Sequence, residues 1–257
     1  MSDSSASDLR VAVVTGGGNG IGRAIVEAFA HAGYQTMIAD LNEADSQALE
    51  TSLNGQSLQA RFLRLDVADA DSIAQFFATV ERDYGRCDVL VNNAGIAKTV
   101  AYLDYPKDHW DKVMQVNVTG PFLMSQYAGR LMQKRHSGRI VNIASVSGER
   151  ASWGRAAYGT SKAAVFGLTR QMALELAEFG ITTNGIAPGP VDTPLTQQLH
   201  TQATRDEFIG SIPMGRYGTP QEIAQVCLFL ASEAASYING HVIPVDGGFL
   251  AAGIIGH

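Results

Sequence analysis

The segment that most constrains the fold of this chain is a short apolar run that leads directly into a glycine-rich turn. Residues 11–15 read Val-Ala-Val-Val-Thr, residues 16–22 read Gly-Gly-Gly-Asn-Gly-Ile-Gly, and residues 23–30 have helical apolar spacing. This order predicts a strand, a turn and a helix. Glycines admit a close phosphate, and the free N–H groups at a helix start favour an anion. The segment therefore predicts a dinucleotide cradle, with a purely structural turn as the alternative; its candidate residues are Gly16, Asn19, Gly20, Ile21 and Gly22.

An acidic residue ends the next strand-like run. Residues 35–39 are followed by Asp40, eighteen positions after the last glycine of the turn. A carboxylate there can accept hydrogen bonds from an adenosine ribose and would repel the extra phosphate of NADP. Neither Asn19 nor Leu41 supplies a compensating cation, so we expect NAD as the cofactor. The alternative is that Asp40 or Asn42 caps the following helix.

Tyr158 and Lys162 are four residues apart at the start of a helical apolar pattern. Positions i and i+4 share a helix face, so the phenol and the ammonium can meet over one site. A nearby positive charge favours the phenolate and lowers a tyrosine pKa from its usual value of about 10. The pair is a candidate acid/base, and an ordinary polar pair on an exposed helix is the alternative.

Seven strand-like runs alternate with segments of helical spacing. This alternation predicts an α/β chain with a Rossmann-type, doubly wound parallel sheet flanked by helices. Such sheets bind ligands beyond the carboxyl ends of their strands, where the motifs lie. The predicted strands are residues 11–15, 36–39, 60–65, 89–91, 139–143, 182–186 and 242–245.

Three parts of the chain are assigned from composition. Residues 1–8 are polar and are expected to be a flexible tail, which leaves residues 9–257 as one domain. Residues 191–215 mix threonine, glutamine and charged side chains after a proline-rich turn, and we expect them to form a substrate lid. The apolar residues 249–255 predict a subunit contact, with a tail folded back on its own core as the alternative.

Charge and cysteine content exclude several classes of function. The formal net charge is −6 and the basic residues are scattered, so we expect no nucleic-acid partner and no membrane. No apolar stretch has the length of a membrane span, and residues 1–8 do not resemble a secretory signal. The two cysteines, Cys87 and Cys227, are far apart and outside any metal-ligand spacing, so no metal site is expected. A cytoplasmic protein with a small-molecule substrate is the expectation.

Six landmarks in order along the chain resemble the classical short-chain dehydrogenase/reductase family. They are Thr15-Gly16-x-x-x-Gly20-Ile21-Gly22, Asn92-Asn93-Ala94-Gly95, Asn117, Ser145, Tyr158-x-x-x-Lys162 and Pro188-Gly189. The resemblance runs from about residue 9 to Gly248. It implies hydride transfer between a secondary alcohol or ketone and a nicotinamide cofactor, and it also implies a homotetramer.

The resemblance assigns roles to individual residues. Ser145 is expected to orient the substrate oxygen, Tyr158 to exchange its proton, and Lys162 to lower the tyrosine pKa and hold ribose hydroxyls. Asn117 is expected to anchor a water relay to the lysine. Further cofactor contacts are implied for Asp66 and Val67 at the adenine, for Asn92, Asn93, Ala94 and Gly95 along the channel, for Ile186, Pro188, Gly189 and Val191 near the nicotinamide, and for Thr193 at its carboxamide.

The segment before Tyr158 indicates the substrate. Residues 147–155 carry two arginines, a glutamate and a tryptophan, and arginine forks bind carboxylates and hydroxyl-rich ligands well. We therefore expect a sugar, polyol or sugar acid. The alternative is that these charges form surface or subunit salt bridges. The candidate substrate residues are Ser147, Arg150, Trp153 and Arg155, with Lys98 as a further anion contact.

Three other functions compete with this interpretation. A 3-oxoacyl thioester reductase resembles the chain generally, but such enzymes usually favour NADPH, and Asp40 argues against that cofactor. Trp153, Phe208 and Met214 could accommodate apolar cyclic or steroid-like alcohols. A non-catalytic cofactor-binding sensor is the third, and the intact set of Asn117, Ser145, Tyr158 and Lys162 argues against it.

Overall fold

Strand β1, Val11–Thr15, is buried along its whole length. Its side chains alternate between two hydrophobic clusters, with Ala12 and Val14 in one and Val11 and Val13 in the other. A strand that is covered on both faces reads as a continuous β-branched run, which is the pattern of its sequence. The computed structural model describes residues 9–253, and the predicted tail of residues 1–8 lies outside them.

The described chain alternates strands with helices, as the sequence predicts. Strand ends differ from the predicted ends by at most two residues, because an apolar pattern does not mark the last hydrogen-bonded position. The strands are β1 Val11–Thr15, β2 Gln35–Asp40, β3 Ala60–Arg64, β4 Val89–Asn92, β5 Gly138–Ile143, β6 Ile181–Pro188 and β7 Val242–Val245. The helices are α1 Gly20–His31, α2 Glu43–Gly55, α3 Ala70–Tyr84, α4 Lys107–Met114, α5 Gly120–Gln133, α6 Ala156–Leu176, α7 Pro194–Leu199, α8 Gln202–Ser211 and α9 Pro220–Leu230.

The strands form one parallel sheet in the order β3-β2-β1-β4-β5-β6-β7. From β1 the chain adds strands outward on one side, then crosses to β4 and adds the remaining strands on the other side. The reversal leaves a cleft beyond the carboxyl ends of β1 and β4, which is where sheets of this kind bind ligands. The predicted fold class is confirmed.

A π-helical turn, Gln115–Thr119, joins α4 to α5. Backbone dihedrals stay right-handed helical on both sides of it, so residues 107–133 form one continuous helical run. A π turn holds one residue more than an α turn, and such turns are frequent at functional sites. Asn117 is at the centre of this turn and is 1% exposed.

The predicted lid and carboxyl-terminal run have defined structure. Residues 191–215 contain helices α7 and α8. Phe249 is buried and packs in a cluster with Val146, Ile212 and Tyr217, so the end of the described chain folds back on its own domain. Residues 254–257, which include the rest of the apolar run, lie outside the described residues.

Three structural findings concern the cysteines, membrane-spanning helices and metal sites. Cys87 and Cys227 are both buried and free. Within residues 9–253, no helix is long and apolar enough to cross a membrane. The same residues contain no cluster of three or more His, Cys, Asp or Glu side chains that could hold a metal ion.

Candidate active site

A cavity of about 400 Å³ opens in the cleft at the carboxyl ends of β1, β4, β5 and β6. Its floor comes from the sheet and its outer wall from residues of the predicted lid. The structure thus brings together residues that are up to 184 positions apart in sequence, from Gly16 to His200. The predicted site residues that line it are Gly16, Asn19, Gly20, Ile21, Gly22, Asn93, Ala94, Gly95, Ser145, Arg155, Tyr158, Lys162, Pro188, Gly189, Val191 and Thr193.

The glycine-rich turn fits the phosphates of a dinucleotide. Gly16 has a φ of +62°, and a Cβ atom on Gly22 would overlap the Gly16 carbonyl oxygen. Asn19 is at the N-cap position of α1, and its side chain does not cap the helix. The first N–H groups of α1 therefore remain available beside the cavity, where they and the helix dipole favour an anion.

Thr15 and Asn93 tie this turn to the end of β4. Thr15 Oγ1 accepts hydrogen bonds from the backbone N–H groups of Asn93 and Ala94, both at 3.0 Å. Asn93 Nδ2 donates to the carbonyl oxygens of Thr15 and Gly16 at 2.9 and 3.0 Å. Asn93 lines the cavity as predicted, but its side chain is used to hold the turn in shape.

Asp40 lies at the end of β2, next to the turn. Its Oδ2 accepts from the Gly18 N–H and its Oδ1 from the Asn42 N–H, both at 2.9 Å. Asn42, not Asp40, caps α2, with its side chain accepting from the Asp45 N–H. The capping alternative raised for Asp40 therefore belongs to Asn42, and the Asp40 carboxylate is fixed beside the cradle.

Asp66 and Val67 follow β3 and lie outside the cavity walls. The Asp66 carboxylate accepts from the Ala68 N–H at 2.9 Å, and Val67 is buried. A Cβ atom on Gly120 would lie 2.8 Å from the Val67 carbonyl oxygen, so α5 approaches this segment closely. The adenine contacts implied for both residues stay a prediction.

Asn92 and Ile186, for which cofactor contacts are implied, do not line the cavity. Asn92 is buried in the core, where its Nδ2 donates to Ser125 Oγ at 3.0 Å and to Asn142 Oδ1 at 2.8 Å. Ile186 is fully buried in the sheet core. Successive strand side chains point to opposite faces, so a strand residue near the cavity can still face away from it. Neither side chain lines the cavity, and the channel position implied for Asn92 and the nicotinamide contact implied for Ile186 stay predictions.

Asn117 clamps the segment that follows β4. Its Oδ1 accepts from the Ile96 N–H at 2.9 Å, and its Nδ2 donates to the Ile96 carbonyl oxygen at 3.0 Å. The same Nδ2 donates to Ser161 Oγ at 3.0 Å, and Ser161 Oγ donates to the Tyr158 carbonyl oxygen at 2.7 Å. The side chain of Asn117 thus connects the cavity wall to the helix that carries Tyr158. Sequence reasoning missed Ser161, although it lies within the Tyr158 to Lys162 motif.

Tyr158 and Lys162 occupy the first two turns of α6, and Ser145 follows β5. Tyr158 forms a hydrogen bond with the Ser145 side chain, and Ser145 Oγ also accepts from the Ser147 N–H at 3.1 Å. Lys162 is buried, with its Nζ donating to the Ile143 carbonyl oxygen at 2.7 Å and lying 5.7 Å from the centre of the Tyr158 ring. The three predicted polar groups therefore meet at one wall of the cavity.

The pKa values of this group follow from burial and neighbours. Burial raises the pKa of Tyr158, while the hydrogen bond with Ser145 and the charge of Arg155 lower it. Burial lowers the pKa of Lys162 to about 8. In the structure the Lys162 ammonium donates to the Ile143 carbonyl oxygen, and the lowering of the tyrosine pKa expected of Lys162 stays a prediction.

Of the candidate substrate residues, only Arg155 reaches the cavity walls in the described structure. Its guanidinium lies 5.6 Å from the centre of the Tyr158 ring. Trp153 is 77% exposed, and Arg150 is exposed with its guanidinium over the Phe249 ring at 4.7 Å. Ser147 contributes its backbone N–H to Ser145. Loop residues of similar chemistry thus point in different directions, which composition does not reveal.

His200, which the sequence analysis did not single out, also lines the cavity. It follows α7, and its Nδ1 lies 2.9 Å from the Tyr217 hydroxyl. Burial, Arg155 and Arg205 lower its pKa. A single histidine in a polar segment has no periodic pattern, so only the folded structure places it in the site.

Comparisons with known proteins agree with this geometry. A family model described as enoyl-(acyl carrier protein) reductase matches residues 16–250. The 3-oxoacyl-[acyl-carrier-protein] reductase FabG of Thermotoga maritima is 39% identical over 241 residues, which cover 94% of this chain and 98% of the relative.

Solved structures show the same likeness. A gluconate 5-dehydrogenase from Burkholderia cenocepacia J2315, in complex with NADP and tartrate, is 35% identical with a TM-score of 0.91, and the match covers 95% of this chain and 96% of the other. A short-chain type dehydrogenase/reductase from Mycobacterium marinum is 35% identical with a TM-score of 0.90 and the same coverage. The family model and these relatives span nearly the whole chain, and the chain therefore belongs to the classical short-chain dehydrogenase/reductase family.

Proposed function

We propose that this oxidoreductase uses NAD to interconvert a secondary alcohol and a ketone in a hydroxylated, acidic small molecule. One observation carries the proposal: Ser145, Tyr158 and Lys162 line the same wall of a cavity that also receives the Arg155 side chain. The first three groups fit carbonyl and alcohol chemistry. The fourth fits a carboxylate, because a guanidinium fork binds carboxylates through paired hydrogen bonds.

The proposed mechanism assigns one task to each side chain. A bound nicotinamide cofactor supplies the hydride acceptor for alcohol oxidation and the hydride donor for ketone reduction. Ser145 Oγ holds the substrate oxygen beside the Tyr158 hydroxyl. Tyr158 Oη accepts the alcohol proton during oxidation and returns it to the ketone oxygen during reduction. Lys162 Nζ, buried 5.7 Å from the centre of the tyrosine ring, would donate hydrogen bonds to the ribose hydroxyls of the cofactor and would place positive charge near the phenol.

NAD is proposed over NADP because of Asp40. Its carboxylate is held next to the phosphate cradle by the Gly18 and Asn42 N–H groups, so it cannot easily turn away from a ligand. A 2′-phosphate placed there would meet a negative charge, and Leu41, which is 51% exposed, offers no cation. The Burkholderia relative was solved with NADP, so the cofactor is the point at which this chain is proposed to differ.

The substrate proposal depends on the polar character of the outer cavity. Arg155 and His200 both line it, and neither is joined to a carboxylate by an ion pair within residues 9–253. The salt-bridge alternative for Arg155 therefore has no support inside the described chain. Apolar alcohols are less well supported, because Trp153 and Met214 are 77% and 62% exposed and do not line the cavity.

Reduction of a 3-oxoacyl thioester is the second candidate. It is favoured by the identity of 39% to the Thermotoga FabG over nearly the full length of both chains. The same catalytic residues would serve it, with Tyr158 Oη donating the proton to the 3-oxo group. The two candidates differ in the expected cofactor and in the use of Arg155.

The assembly and location of the enzyme are also proposed. We propose a cytoplasmic homotetramer, and the assembly is supported by large apolar side chains exposed on the domain surface, among them Leu174 at 76% and Phe122 at 44%. Burying such side chains between subunits would remove apolar area from water. Light scattering that finds only a monomer would contradict the tetramer.

The function is tested by initial rates over a substrate panel. The panel contains gluconate and other sugar acids, polyols, apolar secondary alcohols and a 3-oxoacyl thioester, each with NAD(H) and NADP(H), for the wild type and Tyr158→Phe. We expect the highest kcat/KM for a sugar acid with NAD, and a loss of about 10²–10⁴-fold in the variant. Highest activity on the thioester with NADPH would support the second candidate instead.

A further inference from the structure

The lid presents one side chain to the cavity whose role the chemistry above leaves unassigned. His200 comes directly after α7 and lines the cavity together with Arg155 and Tyr158. Its ring stacks on Phe208, with ring centres 5.3 Å apart and planes 13° apart. The imidazole is therefore fixed in its plane by packing within the lid.

A hydrogen bond fixes the ring in a second direction. His200 Nδ1 lies 2.9 Å from the hydroxyl oxygen of Tyr217, which is 6% exposed. Tyr217 is itself held by Arg205, whose guanidinium lies 4.3 Å from the centre of the tyrosine ring and pairs with Asp192 at 3.2 Å. Stacking and this hydrogen bond together leave the imidazole little freedom to rotate.

The two ring nitrogens therefore have different tasks. Nδ1 is used by Tyr217, and within the described part of the chain Nε2 has no protein partner. Burial and the charges of Arg155 and Arg205 lower the pKa of His200, which favours the neutral ring. A neutral imidazole nitrogen suits a hydroxyl, which can both donate and accept, whereas a carboxylate suits Arg155.

We propose that His200 determines specificity by binding one substrate hydroxyl through Nε2, with Tyr217 as the positioning residue that orients the ring. The proposal rests on the proposed function in that the substrate carries hydroxyls and an acid group. It goes further because it divides recognition between two side chains. Arg155, at the start of α6, binds the acid group. His200, on the lid, binds a hydroxyl at a distance from the reacting carbon.

The test compares gluconate with its monodeoxy analogues, each lacking one hydroxyl, at saturating NAD. In the wild type we expect one analogue to have a kcat/KM roughly tenfold or more below that of gluconate, as for one lost hydrogen bond of about 1.4 kcal/mol. His200→Phe keeps a ring that can stack on Phe208 and removes both nitrogens. It should raise the KM for gluconate about tenfold, so that the kcat/KM values for gluconate and for that analogue become nearly equal. The kcat and the KM for NAD should stay within about twofold of the wild-type values.

Tyr217→Phe removes only the hydroxyl and should give a smaller effect in the same direction. The double variant should be no worse than His200→Phe, because Tyr217 acts through the histidine. His31→Phe, at an exposed position on α1, is the matched control and should leave all values unchanged. Additive effects of the two variants, or an unchanged substrate ratio in His200→Phe, would overturn the proposal.

Failure of the proposed function has a different signature. If the wild type turns over no hydroxylated acid, the same variants are measured on the carbonyl substrate that the panel identifies. A raised substrate KM with an unchanged KM for NAD then supports a substrate contact by His200. An unchanged KM for that substrate overturns it, whichever reaction the enzyme performs.

Discussion

Asn117 Nδ2 lies 3.0 Å from Ser161 Oγ and also donates to the Ile96 carbonyl oxygen, so one amide joins the helix that carries Tyr158 to the wall of the cavity. Helix α6 and the segment after β4 are far apart in sequence, and the Asn117 side chain is one of the groups that hold them together. Their relative position decides where the phenol sits with respect to a bound substrate. Asn117 is therefore expected to affect both stability and catalysis.

Asn117→Ala should lower the free energy of unfolding by about 2–4 kcal/mol, because Ile96 loses partners for its N–H and its carbonyl and Ser161 loses one for its hydroxyl. It should also lower kcat. Asn54→Ala is the matched control, since Asn54 clamps the N–H and carbonyl of Ala60 in the same way, both at 3.0 Å, away from the cavity. Urea unfolding measures the effect of each variant on stability, and initial rates measure its effect on kcat. Equal loss of stability in both variants with kcat preserved in Asn117→Ala would assign Asn117 a structural role only.

Asp40→Asn should weaken the preference for NAD. The neutral amide keeps the shape of the side chain but loses the charged acceptor for ribose hydroxyls and the repulsion of a 2′-phosphate. We expect kcat/KM for NAD to fall roughly 10–100-fold, as for about 1.5–3 kcal/mol, and kcat/KM for NADP to stay the same or rise. Asp45→Asn changes an exposed carboxylate nearby and should leave both values unaltered. A wild-type preference for NADP would contradict the proposal that Asp40 selects NAD.

Arg155→Gln should move the pH dependence of alcohol oxidation. Oxidation needs the Tyr158 phenolate, and the charge of Arg155 lowers the pKa of Tyr158, so removing that charge raises the pKa and shifts the rising limb of kcat to higher pH. The KM for an acidic substrate should rise about tenfold or more. Arg155→Lys keeps the charge and should leave the pH dependence of kcat unchanged. Arg150→Gln, which changes the exposed arginine over Phe249, should alter neither.

Lys162→Met should change how stability depends on pH. Burial lowers the lysine pKa from 10.5 to about 8, so between these values the unfolded chain binds the proton and the folded chain does not. The wild type should therefore gain up to about 3 kcal/mol of unfolding free energy as pH rises from 8 to 10.5, relative to the variant. Urea titrations across this range measure the gain, with the exposed Lys112→Met as control. The same slope in the wild type and in Lys162→Met would show that the lysine is not the titrating group.

Patterns of neighbouring residues predicted the fold well. The apolar runs at residues 11–15 and 89–91 became central strands of the sheet, because a strand covered on both faces needs a continuous apolar sequence. The turn at residues 16–22 and the pair Tyr158 and Lys162 were equally visible. Their function depends on short spacings that a helix or a turn converts directly into geometry.

Contacts between distant segments could not be predicted in this way. Nothing in the sequence connects Asn117 with Ile96, or His200 with Tyr217, because these pairs form only when separate elements pack together. Trp153 and Arg155 are two residues apart, yet only Arg155 faces the cavity, since the path of a loop depends on what it packs against. Residue type alone therefore overstated the number of substrate residues and missed His200, which lies on the predicted lid.

The π turn at Gln115–Thr119 makes the site unusually sensitive to chain length. An α-helix advances by about 100° for each residue, so deleting one residue here could turn the π turn into an ordinary α turn without breaking the helix. Because a π turn uses one residue more than an α turn for a similar rotation, α4 and α5 would keep nearly the same relative orientation, and the change would fall on the turn itself, where Asn117 holds Ile96. A one-residue deletion in this segment would thus remove the clamp while leaving two intact helices on either side of it.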